Sequence, residues 1–385
     1  MGFQTFASPY DWSRVSKYRE IARQAEGGCI DISVGSPADE VPQSVVEALR
    51  DAATAPNAYG YPATVGTQAL QNAISRWFMR EREVDLSAIH AVTIPTVGSK
   101  EAVALMASLL HLGAGDVVVQ PAVSYPTYAI GTQIAGAEVL EVSDVADVDS
   151  WRNVAGVKAV WVNSPSNPTG EIIDSEALAG IVRAARSIGA VVLSDECYAL
   201  MRWDEADSDA TQYADAPSIL RTDICQGTAQ GVLALYSLSK QSNMAGYRAA
   251  FVAGDAAILK EMTAYRKQIG QIIPGPVQAA MAAALDDAEA VHVQWRRYYR
   301  RLSALVQALQ AYGYEVSMPQ GALYVWAKAR SGNCWQDMED LAALGIVPSP
   351  GEFYGAPEYL RFSATASDED ISTVAKRLHE AASSK

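Results

Sequence analysis

Basic residues are scarce in this chain: 30 Lys and Arg stand against 44 Asp and Glu, a formal net charge of −14 over 385 residues. Affinity for nucleic acid comes largely from cations that neutralise phosphates, so this balance argues against a nucleic-acid binder. Cysteine is scarcer still. Cys29, Cys197, Cys225 and Cys334 lie far apart and form no C-x-x-C pair. That leaves no disulfide framework and no zinc-ligand spacing, and it fits a reducing cytoplasm. The histidines His90, His111, His292 and His379 are scattered, so neither a histidine-based triad nor a metal cluster has support. No segment is expected to span a membrane, because the most apolar stretch, 102–112, is too short and reads as a core helix. Residues 1–14 lack the charged-then-apolar order of a signal peptide, and Phe6 stands where an acylation signal has Ser or Thr. Also absent are a G-x-G-x-x-G after a strand and a G-x-x-x-x-G-K-[ST] loop, which speaks against a nicotinamide-dependent oxidoreductase. The opening segment leaves no room for a helix-turn-helix module, so a DNA-binding regulator is not expected either.

What is present is ample core material. With 49% hydrophobic and 19% charged residues, the chain reads as an ordinary globular protein, long enough for two domains. Short apolar runs at 116–120, 138–142, 159–163, 190–194, 232–236 and 249–253 alternate with amphipathic stretches such as 175–188. This is the pattern of βα repeats on a mostly parallel sheet covered on both faces. Beyond Pro274-Gly275-Pro276 the pattern changes to a long helical region from 277 to about 312. A short strand at 322–327, a Gly-Pro-rich loop at 348–355 and a last helix after Ser367 follow. The expected organisation is an α/β domain over 44–275 and a smaller α+β domain over 276–385. The N-terminal arm, 1–43, has little periodicity and should pack on the smaller domain. The acidic clusters at 144–149 and 204–209 read as solvated loops.

Four segments carry groups that could do chemistry. Ser237-Leu-Ser-Lys240 follows an apolar run, and Arg248 stands eight residues on. A lone lysine in a turn is ordinarily a surface residue, but a hydroxyl-bearing turn, an amine and a guanidinium in one window can hold a phosphate beside a nucleophile. Ser194-Asp195-Glu196-Cys197-Tyr198 ends another strand, where open α/β sheets place ligands, although an acid there also serves as a helix cap. Asn163-Ser-Pro-Ser-Asn167-Pro-Thr-Gly170 is by itself a turn. Gly98-Ser99-Lys100-Glu101 opens a helical run, a start suited to an anion.

Taken together, these segments resemble a known family. The stretch from Ser237 through Lys240 to Arg248 and Ala250 is similar, position for position, to the cofactor-lysine signature of class I pyridoxal-phosphate aminotransferases. Ala250 departs from it where a Gly is frequent. Tyr61, Gly98-Ser99-Lys100, Tyr125, Asn167, Asp195, Tyr198 and Arg361 stand around it in the family's chain order. The resemblance covers nearly the whole chain and implies the fold-type-I architecture, a large domain with a seven-stranded, mostly parallel sheet. It implies pyridoxal 5'-phosphate as cofactor and Lys240 as the residue that carries it covalently. Asp195 would pair with the protonated ring nitrogen, Asn167 and Tyr198 would contact the ring hydroxyl oxygen, and Tyr125 would stack on the ring. The phosphate would lie among Gly98, Ser99, Lys100, Ser237, Ser239 and Arg248. Tyr61 would reach it from a second subunit, which implies a homodimer with shared sites. Arg361 would bind the substrate α-carboxylate, and Gly35 would lie close to bound substrate, which Asn167 would also touch.

The implied reaction exchanges an amino acid for a keto acid, with glutamate and 2-oxoglutarate as one pair. The runs 31–37, 59–64, 235–240 and 350–355 look like those of the actinobacterial succinyldiaminopimelate aminotransferases of lysine biosynthesis. That substrate carries several carboxylates, and by charge alone Lys100 and Arg23 are candidates to meet them. The same constellation also suits an aminotransferase with an aspartate, alanine or aromatic donor, or a C–S β-lyase.

Overall fold

The computed structural model describes residues 10–56, 58–203 and 215–383; the acidic cluster at 204–209 lies outside them. Among the described residues, seven strands form the main sheet: β1 (Ala91–Val97), β2 (Val117–Pro121), β3 (Glu138–Val142), β4 (Val157–Asn163), β5 (Val191–Asp195), β6 (Val232–Ser237) and β7 (Ala249–Asp255). Their order across the sheet is β1-β7-β6-β5-β4-β2-β3. Strands β2 to β6 are parallel, and β7 runs antiparallel to both β1 and β6. The apolar runs seen in the sequence are these strands because both faces are covered. Val160 and Val162 of β4 enter one core while Ala159 and Trp161 enter the other, the period of two that a strand imposes. The strand that the apolar pattern did not announce is β1. It contains Pro95 and lies at the sheet's edge, bonded to β7 alone, where a residue without an N–H is tolerated.

A second core joins the two ends of the chain. Val15, Tyr18 and Ile32 pack with Trp295, Leu302, Val325, Leu360 and Val374. The N-terminal segment is more regular than its weak periodicity suggests, since Ser16–Gln24 is a helix that buries Tyr18 and Ala22. Small strands complete this lobe. Ile30–Asp31 pairs with Ile346–Val347, and Ser349–Pro350, Tyr359–Ser363 and Tyr324–Lys328 form an antiparallel sheet.

The helical region after Pro274 is two helices, Gly275–Asp286 and Ala288–Tyr312. Asp287 separates them at φ −94°, ψ 71°, and its carboxylate caps the second helix through the Ala290 N–H. Ala280, Met281, Ala284, Leu285 and Val291 belong to the first core, whereas Trp295 and the residues after it belong to the second. The expected division after 275 is therefore displaced. The change of core falls inside the long helix, between Val291 in the first core and Trp295 in the second. No helix among the described residues is long and apolar enough to cross a membrane.

Candidate active site

Strand direction gathers the chemistry. Parallel β4, β5 and β6 end together, with Asn163 beside Asp195 and Asp195 beside Leu235. Antiparallel β7 begins where β6 and β1 end, so Arg248 arrives next to Ser237 and next to Gly98. The second lobe covers these strand ends and closes a cavity of about 310 Å³.

Of the residues singled out in the sequence, Gly35, Ser99, Lys100, Tyr125, Asn167, Asp195, Tyr198, Ser237, Ser239, Lys240, Arg248 and Arg361 line this cavity. Gly98 sits just behind the wall at φ 77°, and a Cβ on it would run into the Arg248 guanidinium. Tyr61 is fully exposed and does not line the cavity of its own chain. Arg23 is not there either. It is 61% exposed and pairs with Glu20 at 2.7 Å on the surface of its own helix, so proximity does not support its candidacy as a carboxylate ligand.

Local structure explains the side chains' positions. Ser237 caps the short helix Leu238–Gln241, accepting from the Ser239 N–H at 3.2 Å and sharing a bond with the Ser239 hydroxyl at 2.8 Å. The Lys240 amine donates to the Gly35 carbonyl. Asn163 accepts from the Asn167 N–H at 2.8 Å and donates to the Asp195 carbonyl at 2.9 Å, tying two strand ends together. Arg361 donates to the Asn167 side-chain oxygen at 2.7 Å and to the Ser33 carbonyl at 2.8 Å, while its buried Nε has no protein partner. The Asp195 carboxylate accepts from the Tyr128 hydroxyl at 2.8 Å and from the Cys197 N–H at 3.2 Å. Tyr128 is clamped by stacking on Trp161 with ring centroids 4.6 Å apart.

Burial sets the electrostatics. Desolvation pushes the Asp195 carboxyl above its ordinary value, against the hydrogen bonds from Cys197 and Tyr128 that pull it down. Among the described residues Asp195 has no cationic partner. Desolvation lowers the Lys240 amine, and the Arg361 and Arg248 charges push the same way. A buried amine held toward its neutral form can act as nucleophile and as base. A carboxylate buried without a cation would be stabilised by a cationic ring nitrogen beside it.

These features fit a phosphorylated pyridine aldehyde. Ser237, Ser239, Arg248 and the start of the helix Ser99–Leu109 supply donors for a phosphate, Asp195 suits a protonated ring nitrogen, and Lys240 suits an aldehyde. The family model for class I and II aminotransferases matches residues 28–378 of this chain. The chain belongs to the class I and II aminotransferases. This family depends on pyridoxal phosphate, and the aminotransferase described here has its α/β fold. A 4-dedimethylamino-4-oxo-anhydrotetracycline transaminase of Streptomyces rimosus is 39% identical over 373 residues, covering 96% of this chain and 98% of that one. A probable aminotransferase of Mycobacterium tuberculosis is 38% identical over 371 residues, covering 96% of this chain and 84% of its own length. The solved structure of a probable N-succinyldiaminopimelate aminotransferase from Thermus thermophilus superposes with a TM-score of 0.83 at 25% identity, over 96% of this chain and 99% of that one.

Sequence reasoning missed several cavity residues of this aminotransferase: Tyr10, Trp12, Asn163, Cys197, Tyr324 and Tyr354, and Tyr128 behind Asp195. Asn163 and Cys197 lay inside segments already singled out, so their place at a strand end was a usable signal. Tyr324 and Tyr354 come from the second lobe; Tyr354 lies in the run 350–355 noted for its resemblance, without a role, and nothing local marks Tyr324.

Proposed function

We propose that this aminotransferase binds pyridoxal 5'-phosphate through Lys240 and moves an amino group from glutamate to N-succinyl-2-amino-6-oxopimelate, a step of lysine biosynthesis. The observation that carries the reading is one cavity in which the buried Lys240 amine, the uncompensated Asp195 carboxylate and the Arg361 guanidinium with its unpartnered Nε all meet. The bound cofactor supplies an electron sink next to the substrate α-carbon.

The chain's own groups do the rest. Lys240 would take the substrate α-proton and return it two bonds away, on the other side of the transferred nitrogen, a short reach for an amine on a flexible stem. Asp195, with its position set by Tyr128 and Cys197, keeps the ring nitrogen protonated. Arg361 takes the α-carboxylate, for which a planar fork of donors is suited. Gly98, Ser99, Lys100, Ser237, Ser239 and Arg248 hold the phosphate, and Tyr125 covers a face of the ring. Asn167 and Tyr198 donate to the ring oxygen. Exposed Tyr61 serves the phosphate of a second copy, in a cytoplasmic homodimer.

While the backbone N–H of Lys100 at the helix start serves the phosphate, its amine stands 5.9 Å from the Tyr125 ring centroid and is left to meet a substrate with several carboxylates. A second reading is favoured by the aromatic part of the same wall. Tyr10 and Trp12 pack edge to face at 5.7 Å, a surface suited to a flat ring ketone such as the one named for the Streptomyces relative.

Glutamate added to the yellow, cofactor-loaded protein should abolish its long-wavelength absorbance, and no change with any amino donor would rule out amino transfer. A panel of acceptors then decides the substrate. The reading requires kcat/KM to be highest for N-succinyl-2-amino-6-oxopimelate, and a polycyclic ketone ranking first would replace it with the second.

A further inference from the structure

The strand Tyr324–Lys328 of the second lobe sends one side chain, Tyr324, into the cavity. Its hydroxyl oxygen lies 2.7 Å from that of Tyr198, and either can donate. The Arg361 guanidinium stands over its ring, 4.0 Å from the centroid. The same hydroxyl occupies the space that a side chain at Gly35 would need. Gly35 is thus small because of Tyr324, not only because of a ligand, and its carbonyl is the acceptor for the Lys240 amine.

Counting protons separates the two phenols. Each hydroxyl has one proton, and their mutual bond uses one of the two. If Tyr198 donates to Tyr324, it has nothing left for an oxygen in the cavity. If Tyr324 donates to Tyr198, the Tyr198 proton is free to point into the cavity. It is then also a stronger donor, because hydrogen bonds in a chain polarise one another. The cation over the Tyr324 ring favours this second arrangement by drawing electron density from the phenol and strengthening it as a donor. We propose that Tyr324 is a positioning residue that donates to Tyr198 and so turns the Tyr198 proton toward the ring oxygen of the cofactor. The proposal rests on the role given to Tyr198 above and extends it to a residue 126 positions away.

The test is a pH titration of the bound cofactor's absorbance in the purified, loaded protein. Donation to the ring oxygen stabilises its anionic form, so weakening the donor raises the midpoint. Tyr198→Phe should raise it most. Tyr324→Phe, which keeps the ring under Arg361, should raise it by about half to one pH unit, the worth of one hydrogen bond. In the Tyr198→Phe background the second substitution should add nothing, since the effect passes through Tyr198. Gly35→Ala, which displaces the Tyr324 hydroxyl, should reproduce the Tyr324→Phe shift. A midpoint that moves with Tyr198→Phe but not with Tyr324→Phe, or two shifts that simply add, overturns the proposal and leaves Tyr324 a packing role. No shift in Tyr198→Phe itself would remove the assigned Tyr198 contact and the proposal with it, a failure distinguishable from the first.

Discussion

Asp195 and Glu196 are neighbours in the chain and equally hidden, at 6% and 2% exposure, yet they serve opposite sides of one strand end. Glu196 turns away from the cavity into a permanent ion pair. It accepts from Arg82 at 2.9 Å, from the Ile219 N–H at 2.8 Å and from the Ser194 and Ser218 hydroxyls at 3.2 and 3.3 Å. Arg82, fully buried, also binds the Ala216 carbonyl. Asp195 has two neutral donors and, among the described residues, no cation. One region meets the desolvation cost of a charge within the chain, while the other leaves it to be met by a bound group. The first holds the fold around the strand end, and the second gives up stability to be ready for a ligand.

The contrast makes unequal predictions. Lys240→Met should lower the transamination rate by about ten-thousandfold if the proposed base and cofactor anchor are lost together, and steady-state assay in the presence of added cofactor reads it. Its fold should survive. Arg82→Met should do the reverse, lowering the free energy of unfolding by about 3–5 kcal/mol in urea titrations because Glu196 is left buried without its partner. A loss below about 1 kcal/mol would mean that the two regions do not differ as described.

A smaller effect concerns pH in the cofactor-free protein. Burial holds the Lys240 amine below its ordinary 10.5. Between that lowered value and 10.5 the unfolded chain binds a proton that the native chain does not. Lys240 therefore contributes a rise of stability with pH across this window, by at most about 1.4 kcal/mol per pH unit, set against the opposite contribution of buried tyrosines and cysteines whose acid groups are pushed up. Relative to Lys240→Met, the wild type should gain stability with rising pH in this window, as thermal melts of both proteins at a series of alkaline pH values would show. Smallest of all is Arg23→Ala. An exposed pair with Glu20 contributes little, so unfolding should change by less than about 0.5 kcal/mol, with kcat/KM for the succinylated substrate unaltered.

Much of the fold could be read in advance because a sheet buried on both faces writes itself as apolar runs. The run at 138–142 coincides with β3, and the others fall within a residue or two of theirs. Where a different effect governs, the reading slips. The Pro95 strand depends on being at the edge, the helix break at Asp287 on a cap, and the helix Ser16–Gln24 on contacts with the far end of the chain. The residues facing the cavity were visible for a related reason. Ser237, Lys240, Asp195 and Asn167 sit at or just past strand ends, where side chains with chemistry have few structural duties.

Local pattern was enough for the α/β class and for the candidate groups at the strand ends, because strand period and turn chemistry are properties of neighbouring residues, and the stretch around Lys240 carried the resemblance to the family. Folding alone makes Asp195 and Glu196 part company, sets Tyr128 against one of them, and requires Gly35 to make room for Tyr324. Those outcomes depend on side chains far apart in the chain, Tyr128 and Asp195 by 67 residues and Arg82 and Glu196 by 114, meeting when the helices pack on the sheet, and on the second lobe bringing Tyr324 against Gly35. No local pattern encodes such a distance.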